Sequence, residues 1–119
     1  MQEFLIKHIR EYDTANTWGN DNYSRGKPFA TIAICSNGIG VSVCNKKDHF
    51  TKHRGTYIAC ERAFHGYIAK IPNEWRLYYN GENDEVEYLH VEDIIEIEVE
   101  KLERRWNKMV GNIKEDTNV

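Results

Sequence analysis

No stretch of this chain approaches the roughly 18 consecutive apolar residues that a bilayer-spanning helix needs. Its opening residues, MQEFLIKHIREY, scatter charges among the apolar positions and so lack the apolar core of a secretory signal. Together these absences predict a cytoplasmic protein without a membrane partner. A basic excess is also missing: the formal net charge is -3, which argues against a general binder of duplex DNA. Cysteines are few and odd in number, Cys35, Cys44 and Cys60, each in an apolar segment. Such a set is expected to remain as free, buried thiols in a reducing compartment. There is no Walker loop, no G-x-G-x-x-G and no H-E-x-x-H, nor any internal repeat or low-complexity segment.

What is present reads as a globular protein. Hydrophobic residues make up 40% and charged residues 29% of the 119 positions, enough for one domain, 1–119, with a modest core. The charge is unevenly spread. Lys46 to Arg76 is basic, Glu82 to Glu103 is strongly acidic, and Arg104, Arg105 and Lys108 restore positive charge. That asymmetry leaves room for a small anionic ligand.

The elements follow from pattern. Phe4 to Tyr12 alternates only partly and fits a first strand, the favoured reading, or a short helix; Asp13 to Pro28, rich in Asn, Gly, Asp and Ser, is read as a long loop. Phe29–Cys35 and Ile39–Cys44 are β-rich runs around Ser36, Asn37 and Gly38, a hairpin signal. A helix is expected after Gly55 with Thr56 as its cap, with Ile58, Ala59 and Phe64 inward and Gly66 as its stop. Tyr67–Ile71, ended by Pro72, and Trp75–Tyr79 are strand candidates, and Asn80–Asp84 is a loop. Ile95, Val99, Leu102, Trp106, Met109 and Ile113 recur at spacings of four and three, an apolar seam on a long C-terminal helix. Its first turns, where Ile95, Ile97 and Val99 alternate with Glu96 and Glu98, also fit a strand. The fold class expected is α+β: a small antiparallel sheet, a short helix after the central hairpin and a long C-terminal helix. A narrow seam on so long a helix fits the protein's own sheet or a second copy, and a small domain gains core by dimerising.

Few residues here suit catalysis. Cys44, His49 and His53 give C-x4-H-x3-H, a spacing too loose for zinc without a defined fourth ligand, so no metal and no cofactor are expected. Asp93, Glu96, Glu98 and Glu100 fall off the apolar seam and read as a solvated face, not a catalytic carboxylate pair. Binding is better supported. Lys46, Lys47, Lys52, Arg54 and Arg62 are interleaved with Phe50, Tyr57 and Phe64. Trp75, Arg76, Tyr78 and Tyr79 follow, and Arg104, Arg105 and Trp106 close the set, with Lys108 a further cation beyond it. Guanidinium groups grip phosphate and aromatic faces stack on bases. The ligand-binding candidates are therefore Lys52, Arg54, Tyr78, Tyr79, Arg104, Arg105 and Lys108.

At its centre the chain carries Gly40-Val41-Ser42-Val43-Cys44, then Asp48, Phe50, Lys52, Gly55, Ile58-Ala59 and Arg62-Ala63, a sentence of the form D-x-F-x-K-x-x-G-x-x-I-A-x-x-R-A. In this it resembles the first Thoeris anti-defence family of phage proteins. The resemblance covers about a quarter of the chain. It implies a sponge that binds a cyclic ADP-ribose isomer in the cytoplasm of the infected bacterial host and releases it intact. It further implies a homodimer or a hexamer built as a trimer of dimers, pockets at the subunit boundary and, in some members, separate pockets for cyclic oligonucleotides. Arg54, Tyr79 and Arg105 match the residue types such pockets use on phosphates and adenine. A rival reading is a small inhibitor that docks a basic protein through the acidic stretch Glu82 to Glu103. A third, single-stranded nucleic-acid binding through the central basic turn, is opposed by the net negative charge.

Overall fold

A two-residue turn, Ser36–Asn37, folds strand β2 (Pro28–Cys35) back on β3 (Gly38–Val43), with Cys35 opposite Gly38 and Ala30 opposite Val43. Strand β1 (Leu5–Arg10) pairs antiparallel on the other side of β2, with His8 opposite Thr31, and completes a three-stranded sheet of order β1-β2-β3. Helix α1 (Lys52–His65) follows β3. A second sheet is the hairpin of β4 (Trp75–Asn80) and β5 (Glu85–His90), and α2 (Val91–Thr117) continues straight from it. This computed structural model describes residues 3–12, 26–67 and 70–117, with 112–117 as backbone only. The α+β architecture is as expected.

Strand alternation sorts the side chains into two layers. Ile9, Ala30, Ile32, Ile34 and Val41 form one face and pack with Val91, Ile94, Ile95 and Leu102 of α2. Ala33 and Cys35 form the other face, against Ala59 and Ala63 of α1. The sheet thus lies between the two helices. Ile32, Ile94 and Leu102 are fully buried, each worth about 2 kcal/mol of apolar transfer. The α1 layer is thinner, because only small residues meet there. A Cβ on Gly40 would lie 2.1 Å from the Ala59 carbonyl oxygen and 2.3 Å from the Ala63 nitrogen, so the helix backbone rests directly on β3.

Several local expectations are corrected. Helix α1 begins at Lys52, one residue after Thr51 and not after Gly55, so Thr56 sits inside it. Gly55 is needed for packing: a Cβ there would come within 2.6 Å of Thr31 Oγ1 and 3.2 Å of Phe50. Gly66 does end the helix, in the left-handed region at φ 68°, where the Gly66 and Tyr67 N–H groups donate to Ala63 and Arg62 carbonyls. Phe64 points outward, with 49% of its surface exposed, because Ala63 occupies the inward position. No strand forms at Tyr67, Lys70 or Ile71, and Ile68 and Ala69 lie outside the described residues. The loop expected over Asp13–Pro28 also lies largely outside them, and Pro28 already opens β2.

Strand β5 is the element that sequence reading missed. Its alternation, Glu-Val-Glu-Tyr-Leu-His, was absorbed into the acidic stretch leading to the helix. The alternation at Ile95–Val99 resolves as helix. The inward stripe of α2 is Val91, Ile94, Ile95, Glu98 and Leu102, a 3.6-residue period; of the predicted seam, Ile95 and Leu102 are buried, Val99 and Trp106 half-buried, and Met109 exposed. Ile113 lies outside the described side chains. Glu98, expected on a solvated face, is buried. It accepts a hydrogen bond from Tyr78 Oη and an ion pair from Lys7 Nζ at 2.5 Å, and so ties α2 to both sheets.

Candidate ligand-binding site

Most of the central motif turns out to build the seat of α1. Gly55, Ala59 and Ala63 are small because the sheet is against them, and Phe50 packs between Gly55 and the edge of the His8 ring, 6.0 Å away centre to centre. Arg62 Nη1 donates to the Val41 carbonyl at 2.7 Å, capping an outward-facing group of the edge strand β3. What packing does not account for is a set of polar groups around the turn from β3 to α1. Asp48, His49, Lys52 and Arg54 are exposed and form no ion pair among the described residues.

That turn is flanked by two clefts. The first, about 460 Å³, runs along α1 between Arg54, Ile58 and Arg62, spaced four residues apart on one side of the helix, and is closed by Ser42, His49 and Thr51. Thr51, the N-cap, is extended and makes no side-chain cap bond, so the first-turn N–H groups have no cap from it. Arg54, free of ion pairs among the described residues, and the positive end of a helix thus border one concavity, with Arg62 lining it while its guanidinium is engaged by the Val41 carbonyl and lies over the Tyr67 ring at 5.8 Å. The second cleft, about 520 Å³, lies across the turn and shares Cys44, Asp48, His49 and Phe50 with the first. Its floor is Arg76, buried with its guanidinium over the Phe29 ring at 4.4 Å and paired to Glu11 at 3.1 Å and Glu74 at 3.6 Å. Its positive charge is therefore largely neutralised.

The chemistry of the first cleft favours holding over reacting. Burial, reinforced by Asp48 and Glu74 and opposed by Arg76 and Arg54, pushes the Cys44 thiol up from its ordinary value. A thiol held protonated is a poor nucleophile. His8 is pushed the other way, below the ordinary histidine value, by burial and by the charges of Lys52 and Arg10; its ring meets Thr31 Oγ1 at 2.9 Å. Cys60 is raised by burial and by Cys35, and all three cysteines are free; only Cys35 is fully buried. No cluster of three or more His, Cys, Asp or Glu side chains suited to a metal occurs among the described residues.

The residues singled out in the sequence divide into two groups. Lys52 and Arg54 stand at the start of α1, on one face of the sheet. Tyr78, Tyr79 and Arg104 belong with α2 and β4, on the other side. Tyr78 is buried, its hydroxyl donating to Glu98 and accepting from Lys101 Nζ at 3.3 Å; burial first, and then the bond to Glu98 and the nearby Glu98 and Glu82 charges, push its ionisation far up. Tyr79 donates to Asp84 at 2.7 Å, and Arg104 pairs with Glu82 at 2.5 Å. Arg105 and Lys108 are exposed further along α2. Within one chain the seven do not form one pocket. Ser42, His49 and Ile58 join Arg54 in the cleft; Ser42 and Ile58 belong to the central motif and His49 to the C-x4-H-x3-H spacing, but neither pattern marked them as ligand-binding residues. Compared with protein-family models, curated proteins and solved structures, the chain finds no match in any of the three.

Proposed function

We propose that the cleft between β3 and α1 binds the phosphate portion of a nucleotide, and that the protein sequesters this ligand without turning it over. The observation that carries the reading is the convergence of Arg54, Arg62 and the first turn of α1 on one concavity of nucleotide-phosphate scale, beside the apolar Ile58 and Phe50. A raised thiol pKa at Cys44 supports binding without covalent chemistry. The motif's resemblance to the Thoeris anti-defence sponges selects the ligand: a cyclic ADP-ribose isomer, held in the cytoplasm of an infected bacterium. In this reading Arg105 and Lys108, exposed on α2, reach the ligand from a second copy. The outer half of α2, where Trp106 is half-buried and Met109 is 42% exposed, provides a surface for a homodimer or hexamer.

Native mass spectrometry of the protein with a cyclic ADP-ribose isomer tests the reading directly. The expected result is a stoichiometric complex that returns the unaltered nucleotide on heating. Arg54→Ala should weaken binding about tenfold, the loss of one charge-assisted contact, with the melting temperature near wild type because Arg54 is exposed. Recovery of a hydrolysed product, or full-strength binding by the variant, defeats the proposal.

A further inference from the structure

The hairpin β4–β5 ends in an edge that pairs with nothing among the described residues. β4 has β5 on one side and the backbone of Tyr12 on the other, whereas β5 pairs with β4 alone. One bond tells which groups that edge offers. The Leu77 carbonyl accepts from the Tyr12 N–H at 2.8 Å, so Leu77 turns its backbone groups away from β5. In an antiparallel ladder the opposite residue does likewise, so Tyr88 presents its N–H and C=O to the outside, and Val86, two residues back, does the same. Both are well exposed, at 60% and 42%.

The two faces beside this edge differ in chemistry. On one, Trp75 stacks on Tyr88 with centroids 5.9 Å apart and rings 20° from parallel, and His90 meets Trp75 edge-on at 5.5 Å. On the other, Glu85 and Glu87 are exposed and without an ion pair among the described residues. Along the chain the charge here is of one sign, with nine carboxylates and neither Lys nor Arg from Glu82 to Glu100; the cations that reach this hairpin, Lys101 and Arg104, are held by Asn80 and Tyr78 and by Glu82, leaving Glu85 and Glu87 unpaired among the described residues. An aromatic platform and a row of carboxylates beside an open strand edge is an unpartnered surface.

The charge decides what fits. A second copy pairing through β5 would gather the Glu85 and Glu87 carboxylates of both chains on one face, which is unfavourable across a ladder. Nucleic acid and anionic lipid are repelled by the same carboxylates. We propose that the β5 edge takes up an extended basic segment of a partner protein as a third strand. Its Lys or Arg side chains would lie beside Glu85 and Glu87, and its alternate side chains over Trp75 and Tyr88, where a cation or an apolar group is equally welcome. This surface is independent of the nucleotide cleft, which lies at α1.

A soluble peptide alternating Lys and Val is the probe, with a Glu–Val peptide as its control, followed by tryptophan fluorescence and amide hydrogen exchange on the full chain. The Lys–Val peptide should bind, weaken with salt, and slow exchange at Val86 and Tyr88. Val86→Pro removes the outward N–H without breaking a bond to β4 and should abolish binding. The double change Glu85→Lys, Glu87→Lys, on exposed positions, should weaken the Lys–Val peptide at least about tenfold and admit the Glu–Val peptide instead. Should the proline variant misfold, the charge-reversed pair decides. Failure of the Lys–Val peptide to bind, equal binding of the Glu–Val peptide to the wild type, or indifference to charge reversal overturns the proposal. So does protection of Val86 and Tyr88 that rises with protein concentration alone, which would mean a second copy.

Discussion

Replacing Gly40 by alanine asks whether the seat of α1 is as tight as the structure places it. The added methyl would sit 2.1 Å from the Ala59 carbonyl oxygen, 2.3 Å from the Ala63 nitrogen and 2.9 Å from the Arg62 carbonyl carbon. All three are helix backbone, so no rotamer change relieves the clash; α1 itself must retreat by about 1 Å. A gap of that order forfeits about a quarter to a half of the dispersion contact it opens. The contacts at risk are those of Ala33 and Cys35 with Ala59 and Ala63, together with the Arg62–Val41 bond. The cost should reach the upper end of the overpacking range, about 3 kcal/mol. At about 4 °C per kcal/mol for a chain of this size, the melting temperature should fall by about 12 °C. Thermal unfolding followed by far-ultraviolet circular dichroism measures it, and urea unfolding gives the free-energy cost, with an unchanged m-value as the check that the transition stays two-state. A melting temperature within about 2 °C of wild type would refute the close approach of helix and strand.

Gly111→Ala is the counterpart: nothing lies within 4 Å of its Cβ position on α2, so the change should stabilise by about 0.5–1 kcal/mol through helix propensity, read by the same unfolding assay. Tyr78→Phe removes the hydroxyl that donates to buried Glu98 and should cost about 1–3 kcal/mol; an unchanged unfolding free energy would mean that Lys7 alone satisfies this carboxylate. His8 gives a pH dependence. Its folded pKa lies below the ordinary 6.5, so the unfolded chain binds the extra proton and stability rises with pH across that window. The contribution is complete above pH 6.5 and is lost as pH falls towards the lowered folded value. The wild-type melting temperature should therefore drop on acidification from pH 7 to pH 5, and His8→Asn should flatten the slope in that range; an equal slope in both would remove His8 as its cause.

Some features of this chain are legible from neighbours alone, because their energetics are local. The two β-rich runs around Ser36, Asn37 and Gly38 form a hairpin through the short turn Ser36–Asn37, Gly66 stops α1 because the left-handed region is open to glycine, and the recurrence of apolar residues after Val91 makes a helix. The pattern of α2 nevertheless left its inward stripe unresolved. Glu98 is buried only because Lys7 and Tyr78, distant in sequence, meet it from two sheets. Strand β5 was hidden for a similar reason: its charged positions are exposed, so its alternation marks no buried face, and only pairing with β4 defines it.

The candidate site shows the same division. The sequence determined that cations and aromatics cluster at the centre of the chain and that a small-residue motif accompanies them. Tertiary structure decided what each residue is for. Gly55, Ala59 and Ala63 are packing against the sheet, Arg62 joins Arg54 along one cleft, and Tyr78 and Arg104 lie on the opposite side of the sheet, committed to Glu98 and Glu82. Charge and ring are properties of a residue and survive in a one-dimensional string. Which of them face one another depends on a helix seated on each side of a sheet, and that is set by contacts between residues far apart in the chain.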